Sequence, residues 1–206
     1  MMVKNINKQH EPEIISHILD YRGYWTSMDE INTHSFDKPL CDAIIKMCKD
    51  EKCPWIKRLK TIIDIGCGDG SYTTHFNNNG FKCVGYDGNL LTPEISVDSC
   101  YVKDFSDPVD VGKYDLVLCL EVGEHIPVEY EQTFLDNICR AAKNDIILSW
   151  AIIGQKGNGH VNCRNNDYII NEMLTRKFNL DTDRSNFLRK QATLDWFGAT
   201  IMYFQK

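Results

Sequence analysis

The chain has 206 residues, 43% hydrophobic and 25% charged, the make-up of one globular domain with at most a short appendage. Disordered, collagen-like and coiled-coil chains are excluded as its main organisation. Its 23 basic and 29 acidic side chains leave a net charge of −6, and a polynucleotide footprint needs a basic excess to neutralise phosphates, so nucleic acid is not expected as a partner.

Residues 1–10 are polar. From Pro12 to about Leu19, Ile14, Ile15, Ile18 and Leu19 recur at helical spacing. A loop carrying Tyr21, Tyr24 and Trp25 follows, and Pro39 starts a second helix with Asp37 as its cap. After Pro54 the pattern changes to strands alternating with helices. TIIDIG (61–66) reads as a buried parallel strand, GCGDG as a turn, and Ser71 to about Asn78 as a helix. FKCVGYD (81–87), SCYVKD (99–104) and YDLVLCLE (114–121) are the next strands. VEYEQTFLDNICRAAK (128–143) is an amphipathic helix and DIILSWAII (145–153) a fifth strand. A loop rich in Gly and Asn (154–166), a helix (167–176), a strand near 178–182, a helix around 185–194 and a last strand (199–206) complete the chain. Such alternation predicts an α/β fold, a mostly parallel sheet covered by helices on both faces.

Nine cysteines, none in C-x-x-C spacing and several inside apolar runs, read as buried free thiols of a cytoplasmic protein. No apolar run reaches the roughly 18 residues of a membrane span, and MMVKNINKQHEPE has no apolar signal core. A membrane partner is not expected.

The chemistry concentrates in IIDIGCGDG, residues 62–70, which begins as a strand and ends at a helix start. Gly66, Gly68 and Gly70 permit a tight turn and a close-lying ligand. The spacing is G-x-G-x-G, not the G-x-G-x-x-G of dinucleotide sites, which disfavours a nicotinamide-dependent oxidoreductase. Asp64 beside the turn would repel a pyrophosphate and suits an ammonium or sulfonium. Asp87, 21 residues after Gly66, closes the second strand, where an acid accepts both ribose hydroxyls. Asp104 and Phe105 close the third, suited to binding and stacking an adenine, and Glu121 closes the fourth. Cys67 reads as a small loop filler.

This constellation resembles the class I S-adenosylmethionine-dependent methyltransferase family over about residues 40–206. IIDIGCGDG matches its first motif, Asp87 its ribose acid, DFSDP (104–108) its adenine segment, and YDLVLCLEVGEHI (114–126) its fourth-strand motif. The resemblance implies a Rossmann-like, doubly wound sheet of seven strands with the last antiparallel. It divides the chain into an N-terminal helical cap over 1–55 and a donor-binding domain over 56–206. It implies S-adenosylmethionine as cofactor and S-adenosylhomocysteine as product, held by Asp64, Gly66, Cys67, Gly68, Gly70, Asp87, Gly88, Asp104, Phe105, Glu121 and Val122.

Transfer to a hydroxyl requires a base, and an imidazole suits that task. His125 in EVGEHIP and His160 in GQKGNGHVNCR follow the fourth and fifth strands, with Glu124 placed to orient either. Each histidine reads equally well as a loop-holding residue. Glu121, Glu124, His125, His160 and Asn162 together also permit a divalent metal, which the spacing does not favour. The expected reaction is O-methylation of a small polar acceptor, a sugar or nucleotide-linked sugar being the leading candidate. N- or carboxyl-methylation, and a donor-binding scaffold without turnover, remain as alternatives.

Overall fold

The computed structural model describes residues 19–26, 34–49, 59–96 and 99–206. Seven strands among them form one sheet: β1 (Thr61–Ile65), β2 (Lys82–Asp87), β3 (Cys100–Val102), β4 (Tyr114–Cys119), β5 (Ala142–Leu148), β6 (Asn179–Leu180) and β7 (Met202–Gln205). Their order is β3-β2-β1-β4-β5-β7-β6. β1 pairs parallel with β2 and β4, β2 with β3, and β4 with β5, while β7 runs antiparallel to β5 and β6. This is the doubly wound sheet with an antiparallel last strand that the sequence predicts. Strand order reverses between β1 and β4, and the crevice beyond their carboxyl ends is where such sheets bind ligands.

The strands are apolar on both faces because helices cover both. Ile63, Val117, Ile146 and Phe204 point into one core with Phe134, Leu135 and Ile138 of α4 (Glu131–Ala141) and Ile169 and Met173 of α5 (Asn166–Thr175). Their neighbours Ile62, Leu116, Ile147 and Tyr203 point into the other. There they meet Leu40 and Ile44 of α1 (Lys38–Lys49), Phe76 of α2 (Ser71–Asn78) and Leu188 of α6 (Thr182–Gln191). Asp37 caps α1 as expected, its Oδ1 accepting from Leu40 N at 3.0 Å. Its Oδ2 also takes the N–H groups of Thr193 and Leu194, at 2.6 and 2.9 Å, which ties α1 to the C-terminal part of the chain.

Several element bounds differ from expectation. The helix over 128–143 begins with a 3₁₀ turn, Val128–Tyr130, and α4 ends at Ala141 with no loop before β5. β5 itself stops at Leu148 rather than 153. Trp150, fully buried, donates its indole N–H to Asn162 O at 2.7 Å, so the apolar character of 150–151 reflects side-chain burial beyond the ladder, whereas Ile153 is exposed. The last strand is shorter than 199–206 because a short helix, α7 (Phe197–Thr200), precedes β7. A further short helix, α3 (Thr92–Ile95), is unpredicted. The first predicted helix lies outside the described residues except for Leu19, as do 27–33 and 50–58 of the N-terminal part. No helix among the described residues is long and apolar enough to cross a membrane.

Candidate active site

The turn after β1 is built by backbone geometry. Gly66 and Gly68 take φ of 75° and 52°, a region L side chains rarely adopt. A Cβ at Gly66 would overlap Val122, and one at Gly68 would overlap the His34 ring. The N–H groups of Gly66 and Cys67 both bond Tyr86 O, at 2.7 and 3.1 Å, which fastens the turn to β2. Asp87 completes the tie: Oδ2 accepts from Gly68 N at 3.0 Å and Oδ1 from Asn89 N at 2.9 Å. Each carboxylate oxygen keeps lone-pair capacity for a ligand hydroxyl.

Asp64 lies beneath the turn, 4% exposed, accepting from Thr73 Oγ1 at 2.9 Å. Burial pushes its carboxyl up to about 7, against the opposing pull of that hydrogen bond. Cys67 is buried, and its thiol pKa is raised by its bond to Cys100 and by burial, so it is no thiolate nucleophile.

One cavity of about 410 Å³ opens above these residues. Asp64, Gly66, Cys67, Asp87, Gly88, Asp104, Phe105 and Val122 line it. Glu121, Glu124, His125 and His160 line it as well, whereas Gly68 and Gly70 shape the turn without lining the cavity. Asp104 is engaged: its Oδ1 accepts from Ser106 N and its Oδ2 from Arg22 Nη1, both at 2.8 Å. Phe105 is a core residue, 5% exposed, that also faces the cavity. Glu121 accepts from Gln155 Nε2 at 2.7 Å and Thr200 Oγ1 at 3.2 Å and has φ 52°, a strained value for a side-chain-bearing residue.

Glu124 is fully buried, and neither carboxylate oxygen has a hydrogen bond of good geometry. Burial, reinforced by the Glu121 charge, pushes its carboxyl well above the usual range, opposed by the backbone N–H groups of Glu124 and Ala151. His160 Nε2 lies 3.9 Å from Glu124 Oε1. The His125 and His160 rings meet edge to face with centroids 5.1 Å apart. Burial and the neighbouring His160 hold the His125 imidazole down at about 4, so it is neutral at pH 7.

The loop that carries His160 is anchored away from the cavity. Val161 N and Asn162 N both bond Glu124 O at 2.9 Å. Glu131, 2% exposed, accepts from Asn162 Nδ2 and Arg164 Nε, each at 2.8 Å, and from Tyr168 Oη at 2.5 Å. Of the five residues whose spacing permits a metal, the structure therefore groups three. Asn162 turns to Glu131, while Glu121 bonds Gln155 and Thr200 and still lies against Glu124.

Tyr24 and Trp25 of the N-terminal cap line the cavity, while sequence reading missed Arg22 beside them. Arg22 reaches Asp104 and also Asp107 at 2.5 Å, the Tyr24 ring packs where a side chain on Gly88 would stand, and Trp25 meets His125 edge-on at 5.5 Å. Nothing local to Arg22 signals a partner 82 residues away.

The sequence profile of the methyltransferase domain family matches residues 33–150. The chain belongs to this family. It is 34% identical over 91 residues to a ubiquinone biosynthesis O-methyltransferase of Rickettsia bellii (strain OSU 85-389), which covers 40% of this chain and 37% of that protein. It is 31% identical over 110 residues to a probable chloroplastic tocopherol O-methyltransferase of Oryza sativa subsp. japonica, covering 46% and 30%. The matched stretch thus spans about a third of these curated relatives. The fold is shared with magnesium protoporphyrin IX methyltransferase of Synechocystis PCC 6803 with bound SAM, with a TM-score of 0.61 and 16% identity over 90% of this chain and 94% of that one. The cofactor of the class I family is S-adenosylmethionine, and the cradle fits it. Gly66 leaves room where a Cβ would overlap Val122, and the carboxylates of Asp64 and Asp87 both line the cavity.

Proposed function

We propose that this protein transfers the methyl group of S-adenosylmethionine to a hydroxyl of a small polar acceptor. The observation that carries this reading is one cavity holding the Gly66–Asp87 cradle at one end and Glu124, His125 and His160 at the other. Bound S-adenosylmethionine supplies an electrophilic methyl group on a sulfonium. Asp87, held by Gly68 and Asn89, fixes the ribose, and Asp64 answers the positive charge. An in-line displacement with a neutral leaving thioether demands positioning above all, worth effective molarities of about 10⁵–10⁸ M in well-oriented systems. The acceptor hydroxyl loses its proton at the trio. In the metal-free protein His160 is the base, because its Nδ1 is engaged with Gln155 O at 3.2 Å and Nε2 is left for the acceptor.

The polar loop over 154–166 and the aromatic rings of Trp25 and Trp196 beside the cavity suit a sugar or nucleotide-linked sugar, polar at its edge and apolar on its face. A phenolic acceptor is the second reading, favoured by the O-methyltransferase names of the curated relatives. A cytoplasmic location accords with eight free thiols among the described residues. The test is release of S-adenosylhomocysteine across nucleotide sugars, free sugars, phenols, amines and carboxylic acids. Turnover confined to hydroxyl compounds supports the proposal. Turnover only with amines or carboxylic acids overturns the acceptor class, and tight donor binding with no turnover on any panel member makes the chain a scaffold.

A further inference from the structure

We propose that Glu124, His125 and His160 form a binding site for one first-row divalent transition-metal ion, with its open positions facing the acceptor. The first observation is the buried carboxylate. Glu124 is 0% exposed and neither of its oxygens has a hydrogen bond of good geometry. An acceptor left unpaired in the interior is expensive, more so when charged. An ion pair with His160 does not satisfy it. The closest approach of 3.9 Å is too long for a hydrogen bond, and Oε2 has none of good geometry.

The second observation is convergence. One ligand atom from each of Glu124, His125 and His160 lies within 4.8 Å of the other two. Metal–ligand bonds of about 2.0–2.2 Å place neighbouring ligands roughly 3–3.5 Å apart, so the trio closes by about an ångström around an ion.

Orientation is the third. His125 Nδ1 faces Gly159 O at 3.1 Å and His160 Nδ1 faces Gln155 O at 3.2 Å. Each imidazole therefore donates one ring N–H to a backbone carbonyl and presents the lone pair of Nε2, the outer-shell arrangement that metal-ligating histidines use. Space is kept for this geometry, since a side chain on Gly157 would overlap His160 Nε2.

Two imidazole nitrogens and one carboxylate oxygen favour zinc, cobalt, manganese or iron(II) over calcium and magnesium, which prefer all-oxygen shells. Three protein ligands leave positions for the acceptor oxygen. A cation there lowers the pKa of a coordinated hydroxyl, whose proton leaves to solvent, and the oxygen then bonds the methyl carbon while the C–S electron pair stays on sulfur. In the loaded protein the imidazoles are ligands, and the histidine-base account applies to the metal-free form alone. This use of the ion rests on the methyltransferase reading, whereas its binding does not.

The experiment is titration of chelator-stripped, full-length protein with Co²⁺ alone, followed by visible d–d absorption and calorimetry. One equivalent is expected to bind, displaced by Zn²⁺ and not by Mg²⁺. Glu124→Gln and His160→Ala are each expected to weaken binding at least about tenfold while affinity for S-adenosylhomocysteine, which reports an intact fold, is unchanged. If Glu124→Gln fails to bind S-adenosylhomocysteine, His160→Ala and His125→Ala carry the comparison. Absence of saturable binding in the wild type, or wild-type affinity in the variants that keep S-adenosylhomocysteine binding, overturns the site. Full turnover after chelation overturns the ion's role in the chemistry and leaves the methyltransferase reading standing. Stoichiometric Co²⁺ binding without turnover supports the site and counts against that reading alone.

Discussion

Asp87 at the end of β2 accepts the backbone N–H of Gly68, two residues beyond the first glycine of the turn after β1, at 3.0 Å. The acid and the turn are thereby one unit. Whatever binds the turn meets a carboxylate whose position the turn itself has set, which is preorganisation in a literal sense.

Replacing Asp87 with Ala removes both the acceptor for Gly68 N–H and the proposed ribose contact. Charge-assisted hydrogen bonds contribute about 1.5–3 kcal/mol each, so donor affinity is expected to fall between about tenfold and a hundredfold by calorimetry. Circular dichroism should be unchanged. Undiminished affinity would remove Asp87 from the site.

Asp64 predicts a pH effect. Its folded pKa of about 7 exceeds the ordinary 3.8, so between these values the unfolded chain has released the proton and the folded one holds it. Its contribution to stability is present below pH 4 and declines as pH rises towards 7, by up to about 4 kcal/mol. A cationic donor favours the ionised carboxylate, so donor affinity should rise with pH across the same window. Asp64→Asn should flatten both profiles in urea-melt and calorimetric series. A wild-type affinity independent of pH would mean that Asp64 does not face the donor's charge.

Glu131 holds the loop of His160 without touching the cavity. Glu131→Ala leaves Arg164, Asn162 and Tyr168 without their shared acceptor. Breaking such a buried pair destabilises by about 3–5 kcal/mol, towards the lower end here because Arg164 is 28% exposed. Chemical denaturation checks the stability. The companion expectation is a lowered kcat with donor affinity retained, and equal losses in both would show a general collapse of the fold instead.

Arg22 joins residues 19–26 to the segment after β3 through Asp104 and Asp107. Arg22→Ala is expected to speed donor dissociation, measured by stopped flow, and to reduce its sensitivity to salt, since exposed pairs are screened. A dissociation rate equal to the wild type at every ionic strength would show that this segment does not retain the donor.

Much of this protein is readable along the chain because its strands are buried on both faces. Runs such as TIIDI and YDLVLC announce themselves as apolar stretches between turns, and their alternation with helices specifies the sheet. The glycine turn and the acid 21 residues later are likewise local patterns, since one strand–helix–strand unit sets their distance. The end of β5 at 148 was not readable, because Trp150 is buried for a reason that lies in packing beneath Gly123 and not in the ladder. Nor was the engagement of Asp104 by Arg22, or the turn of Asn162 towards Glu131 and away from the other candidate ligands. Sequence determined which residue types reach the carboxyl ends of the strands. Only the tertiary structure decided which of them meet, because the loops after β4 and β5 are placed by anchors such as Glu131, 31 residues from the Asn162 it holds, and long-range anchors leave no periodic trace in a sequence.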